Sequence, residues 1–322
     1  MDCILHAYRI DKDGKATKLP KDNIPEDPQP NDGFIWLHFA RTDPKTREIF
    51  VKDARIDNIA MRTLLAEDSR PRTIIRGTDA LINLRGVNLN PGSQPEDMIP
   101  IRFFIQETRV ISVCGHPLKA TQDRVKQLES QPVSPTPGGF VAGYALAISE
   151  RMSPTIMHLN EKVDMLEEKL DTDKNESVSS KISFLRREAI KLRRYLAPQR
   201  DALNALSMQT LKWISLDDQL RLRDASDQAA RITEELDAVR ERCAIVKDQI
   251  TDMRAEQMNK NMMILSVVAA IFLPLGLISG MMGINVGGMP WVESASGFWI
   301  VTAIVFITGF LQLVLFKILK WL

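Results

Sequence analysis

Cysteine is scarce in this chain. There are three among 322 residues, Cys3, Cys114 and Cys243, odd in number and far apart. That excludes a disulfide framework and zinc-finger spacing, and it fits a reducing compartment for the soluble part. An excess of either charge is also missing. Lys and Arg number 42 against 41 Asp and Glu, a net +1, so no basic footprint argues for nucleic acid as a partner. A P-loop, an HExxH helix and a nucleophile elbow are all absent, which leaves both an enzyme reading and ATP-driven pumping without support. The first residues, MDCILHAYRIDKDG, turn polar too soon for a signal peptide and are expected to be none.

The most telling absence is local. No charged residue stands between Lys260 and Glu293. Asn261 to Met282 (NMMILSVVAAIFLPLGLISGMM) is long enough to cross about 30 Å of hydrocarbon at 1.5 Å per residue. A second uncharged run, Ser296 to Phe316, opens with Phe298 and Trp299 and is followed by Lys317, Lys320 and Trp321, which suit a membrane interface. Two transmembrane helices are therefore expected. Arg254 and Lys260 precede the first, Lys317 and Lys320 follow the second, and the loop between carries only Glu293. The positive-inside rule then puts both termini in the cytoplasm and the loop outside. Pro274 lies within the first span, where a neighbouring helix can serve the carbonyl it frees.

What remains is polar and patterned. Residues 1–150 read as a cytoplasmic α/β domain, of α+β class with the helices that follow. Strands are expected at Gly33–Ala40, Thr78–Leu89, Met98–Glu107 and Arg109–Gly115, and a helix at Ile56–Glu67. Ser130–Phe140 (SQPVSPTPGGF) reads as a Pro/Gly linker or loop. Residues 151–221 form a helical hairpin, with Ile156, Leu159, Val163, Leu166 and Leu170 on one face. A break is expected at Asp171–Ser180 and an interruption at Pro198. Residues 222–260 are a stalk. Leu222, Ala225, Ala229, Ile232, Leu236, Val239, Cys243, Val246, Ile250 and Met253 alternate by three and four. That seam fits packing on the hairpin and self-association equally. With no Pro or Gly before the first span, one unbroken helix of roughly 90 Å should run from Leu222 to Met282.

Spans are expected at 261–283 and 296–317, a loop at 284–295 and a tail at 318–322. Two helices cannot enclose a path, so the chain is either an anchor or one part of a ring. In the first span Ser266, Ala269, Leu273, Gly276, Gly280 and Gly283 recur at three or four. Small residues so placed fit close helix packing. They equally fit a ring of helices about a narrow pore. Ser279–Pro290 (SGMMGINVGGMP) offers glycine carbonyls and one amide, Asn285. A ring of such neutral oxygens suits a hydrated cation, holding it weakly enough to let it leave. Asn259 could form a second amide ring at the inner end.

GINVGGMP after FLPLGLISGMM, the terminal KWL, EDSRPR (Glu67–Arg72) and RRYLAPQRD (Arg193–Asp201) together resemble the CorA family of divalent-cation transporters. The resemblance covers essentially the whole chain. Where that family has Gly-Met-Asn, this chain has Gly283-Ile284-Asn285, a variant similar to the zinc-transporting ZntB branch. The resemblance implies a homopentameric funnel in the inner membrane, with the first span lining the pore. It implies zinc uptake, with cadmium or nickel as further cargo, coupled to protons. It implies a filter at Gly283, Ile284 and Asn285, and pore positions Asn259, Met262, Leu265, Leu273, Gly276 and Gly280. No resident cofactor is expected; zinc is the cargo. The alternatives are a magnesium or cobalt channel of the main CorA type and, remotely, a membrane-anchored coiled-coil sensor. His6, His38, His116 and His158 read as structural, with His6 and Cys3 the nearest to a zinc pair. Zinc favours N and S ligands and the pore offers only the Met262 thioether, so the ion is expected to pass hydrated.

Overall fold

A computed structural model of the chain describes residues 3–172, 176–284, 290–291 and 294–319. The chain divides into two compact units, Met1–Lys247 and Asp248–Leu322.

The first unit is built on one mixed sheet. Its strands are β1 (Ile4–Asp11), β2 (Ala16–Lys18), β3 (Gly33–Ala40), β4 (Arg72–Arg76), β5 (Asp79–Gly86), β6 (Ile99–Ile105) and β7 (Arg109–Cys114), in the spatial order β2-β1-β3-β7-β6-β5-β4. Neighbours run antiparallel except β3 and β7, which pair in parallel from Ile35 with Arg109 to Ala40 with Cys114. β3, β5 and β7 are buried over almost their whole length, as central strands covered on both faces must be. Between β3 and β4 come α1 (Pro44–Lys52) and α2 (Asn58–Leu65), capped by Asp43 and Asp57, whose carboxylates accept from the Lys45 and Ala60 amides. They bury Phe50, Ala60 and Leu64 against Phe39, Phe104 and Val113 on one face. The other face, with Trp36, Ile82 and Phe103, is covered by α3 (Lys119–Ser130), α4 (Pro137–Thr172) and α5 (Glu176–Ser207), and by the start of α6 (Leu216–Met282).

Several expectations need correction. The expected linker at Ser130–Phe140 already holds the first turn of α4. Thr136 caps it by accepting from the Gly139 amide, and Pro137 occupies the first helical position, where its missing N–H costs nothing. Gly139 is required there, since a Cβ would lie 2.4 Å from Asp218 Oδ1. The Asp171–Ser180 break is shorter than expected, because α4 reaches Thr172 and α5 starts at Glu176; residues 173–175 and the Leu170 side chain lie outside the described residues. Pro198 does not interrupt α5. Leu192, Leu196, Leu203 and Leu206, buried on both sides of it, hold the helix together across one lost hydrogen bond. α6 starts before Leu222 because Ser215 and Asp218 form a reciprocal capping box: the Asp218 amide donates to Ser215 Oγ at 3.1 Å and the Ser215 amide to Asp218 Oδ2 at 2.9 Å. β1, β2, β4, α1 and α3 were not expected.

The seam on α6 is buried at every position from Leu222 to Val246. Arg242 on α6 reaches Asp164 and Glu167 of α4 with 2.5 Å contacts, and Arg193 of α5 pairs with Asp237 at 2.6 Å. Of the two readings of the seam, packing on the hairpin within the same chain is therefore the one observed. Its last expected member, Met253, is 40% exposed.

Candidate membrane pore helix

The second unit consists of the end of α6 and the helix α7 (Gly297–Ile318), both long and apolar enough to cross a membrane. They meet along one stripe each. On α6 the shielded positions are Val267, Ala270, Ile271, Pro274, Leu275 and Ile278; on α7 they include Val305, Gly309, Gln312 and Phe316. Gln312 Nε2 lies 3.4 Å from the Ala270 carbonyl, and a Cβ on Gly309 would stand 3.6 Å from Leu275 Cδ1.

The small-residue stripe is elsewhere. Ser266, Ala269, Leu273, Gly276, Gly280 and Gly283 are all exposed, on positions α7 does not cover. Cβ atoms built on Gly276 and Gly280 find no described atom within 4 Å. Asn259, Met262 and Leu265 are exposed as well, and Leu273 keeps 71% of its surface. The predicted pore positions therefore share one condition, that nothing in the described chain covers them. The stripe does not pack on the second span. The Ser266 hydroxyl turns back to its own helix, donating to the Met262 carbonyl at 2.9 Å.

At its end α6 tightens. The Gly283 amide is shared between the carbonyls of Ser279 at 3.0 Å and Gly280 at 3.1 Å, and this last turn carries the partial negative charge of the helix dipole. Gly283 and Ile284 are described; Asn285, on which the filter expectation rests, lies outside the described residues. So do Val286–Met289, Glu293, Lys320 and Trp321. Among the described residues from Asn261 to Phe316 no side chain is ionisable, so carbonyls, amides and the dipole are the electrostatics on offer there.

Among the described residues no group of three or more His, Cys, Asp or Glu is placed to hold a metal ion. His38 is buried in the sheet and its Nδ1 lies 2.7 Å from Ser112 Oγ, which also accepts from Trp36 Nε1 at 2.8 Å. Burial, and then its neighbour His6, push the His38 pKa down to about 3. His6 stacks on Trp36 and His38, while Cys3 is a buried free thiol.

Two residues that sequence reasoning did not single out organise these parts. Arg85 joins the segments EDSRPR and RRYLAPQRD. Its guanidinium pairs with Asp68, donates to the Ser69 carbonyl at 3.1 Å and lies 3.9 Å over the Tyr195 ring, while its backbone amide donates to Gln199 Oε1 at 2.7 Å. Gln312 joins the two spans. A lone amide inside an apolar run was the available signal for it.

A profile of the CorA-like Mg2+ transporter protein family matches residues 31–320. The divalent cation transporter CmaX of Pseudomonas aeruginosa is 33% identical over 321 residues, covering 99% of this chain and 97% of its own length. The zinc transport protein ZntB of Pectobacterium atrosepticum is 30% identical over 300 residues, covering 92% of this chain and 89% of its own. The solved structure of the full-length CmaX protein superimposes with a TM-score of 0.84 at 31% identity, covering 99% of this chain and 98% of that one. That family is one of membrane ion transporters and not an enzyme class. The match across nearly all of the chain, together with the shared architecture, shows that it belongs to the CorA-like family of divalent-cation transporters.

Proposed function

We propose that the chain assembles as a homopentamer in the inner membrane, both termini cytoplasmic, and carries zinc inward through a pore lined by α6. The observation that carries this reading is the exposed stripe from Ser266 to Gly283, which α7 leaves uncovered. In a ring it would face the axis or the next copy. Gly283, Ile284 and Asn285 would form the filter, where neutral oxygens replace or hold part of the ion's water shell. Zinc is favoured by the isoleucine in that motif and by the ZntB relative; cadmium and nickel fit the same oxygens. An inside-negative potential drives a divalent ion inward by roughly 4.6 kcal/mol per 100 mV. With no ionisable group among the described residues from Asn261 to Phe316, proton coupling would run through water, the ion's hydration shell or groups outside the spans.

Magnesium is the second reading, favoured by the Mg2+ description of the matching family. The test is uptake of labelled zinc and of labelled magnesium into proteoliposomes, with and without an inward proton gradient. Zinc entering in preference, faster with an inside-negative potential and faster again with the proton gradient, is the expected result. Magnesium preference overturns the zinc assignment; indifference to pH removes the proton clause. Native mass spectrometry should show a pentamer, and a monomer or dimer as main species rejects the pore.

A further inference from the structure

Pro274 has no N–H, so the Ala270 carbonyl, four residues earlier, loses the partner an unbroken helix would give it. In hydrocarbon such a carbonyl is costly to leave unserved. Gln312 on α7 reaches it, with Nε2 at 3.4 Å. It is the only amide side chain between Ser296 and Phe316. Gly309, one turn earlier, lets α7 come within ordinary contact of Leu275, beside the proline. The Gln312 head is not held from its other side, because Oε1 is buried with no donor among the described residues. Thr302 provides a contrast on the same helix: its hydroxyl donates to its own Phe298 carbonyl at 2.8 Å. The Gln312 amide is spent on the neighbouring helix.

We propose that Gln312 is a positioning residue for transport, supplying from α7 the donor that Pro274 omits and so setting the direction in which the outer part of α6 continues. The proposal rests on α6 lining the pore. Gly276, Gly280 and Gly283 all lie beyond the proline. At 1.5 Å per residue Gly283 is about 14 Å past it, so a change of about 10° in the bend displaces the mouth by about 2 Å. That shift is comparable to the tolerance of an ion filter. A helix that does not touch the ion would thereby control its path through one hydrogen bond.

The test is a double-mutant cycle on the full-length protein, with Gln312→Met, Pro274→Ala and the pair together. Methionine keeps the length and flexibility of glutamine but cannot donate. Alanine returns the N–H that serves Ala270 from within α6. Two quantities are read in each variant: the unfolding temperature in detergent and the zinc and magnesium flux in proteoliposomes. Gln312→Met alone should lower the unfolding temperature and reduce flux about threefold, the worth of one interhelical hydrogen bond. In the Pro274→Ala background the same substitution should change neither. Gln312→Asn, too short to reach, should behave as Gln312→Met. Equal losses in both backgrounds would mean that Gln312 only packs, and would overturn the proposal. Coupling in unfolding temperature without coupling in flux would overturn the positioning role. Absence of flux in the wild type would overturn the pore reading instead, while the unfolding cycle would still decide whether Gln312 caps Ala270.

Discussion

The helix α6 is two different objects on either side of Lys247. Before it, the seam residues from Leu222 to Val246 are buried, Arg242 finds a carboxylate on α4, and Asp237 takes Arg193 from α5. After it, the same kind of residue lies bare: Met262, Leu265, Leu273 and Leu277 each keep more than half of their surface. Both stretches are apolar at helical spacing. What differs is the width of the apolar surface. The first part has a stripe about two residues wide, which one hairpin can cover. The second, from Asn261 on, is apolar all round, and among the described residues α7 covers only the Val267–Ile278 side. In the proposed assembly the uncovered remainder would meet lipid over most of its surface and further copies on the small-residue face.

The sharpest way to break this comparison is Gly280→Leu. No described atom lies within 4 Å of a Cβ there, so the unfolding temperature of the purified protein should stay close to wild type. In a ring the four added carbons crowd the axis, and zinc flux should vanish. Flux at the wild-type rate would mean that this face looks at lipid. Asn285→Ala should likewise abolish or strongly reduce flux while native mass spectrometry still finds the assembly intact. On the other side of Lys247 the effects reverse. Leu236→Ala, at a fully buried position, should cost about 2–5 kcal/mol in chemical denaturation of the cytoplasmic unit, whereas Leu265→Ala should cost that unit nothing.

Smaller effects sharpen the picture. His38 is held neutral, with its pKa down to about 3 from 6.5. Below pH 6.5 the unfolded chain takes a proton there that the folded chain refuses, so stability falls as pH drops between these values. Replacing His38 with Asn should flatten that slope in a pH series of denaturant titrations; an unchanged slope would assign the acid sensitivity to other groups. Arg242→Met should cost least, about 0.5–1 kcal/mol, because the ion pairs with Asp164 and Glu167 are part-exposed. The loss should shrink in high salt.

Where the sequence was legible, one face was enough to decide the structure. The seam from Leu222 to Val246 and the charge-free spans could be read because each repeats a simple rule over many turns. The four central strands could be read because β-branched and aromatic runs stand between turn residues. Pro198 misled because local propensity was weighed without the leucines that pin α5 from the sheet side. The start of α4 was hidden because Pro137 and two glycines resemble a linker unless Thr136 is recognised as a cap. β4 was missed because RTIIR is short and only partly shielded. The small-residue stripe was visible as a stripe, but not which side of the helix α7 would take. The link from Gln312 to Ala270 joins positions far apart in the chain, and no periodicity reports it.

The parallel pairing of β3 with β7 also sets an order in time. β3 has β1 on one side and must wait for Cys114 on the other, with the whole β4–β6 meander formed in between. Such non-local closure is slow, on the order of milliseconds to seconds. Synthesis at about 5–20 residues per second leaves roughly 7–30 s between Cys114 and Lys260. The sheet can thus close in water before the first apolar span leaves the ribosome, with only β2 and β4 left as edges.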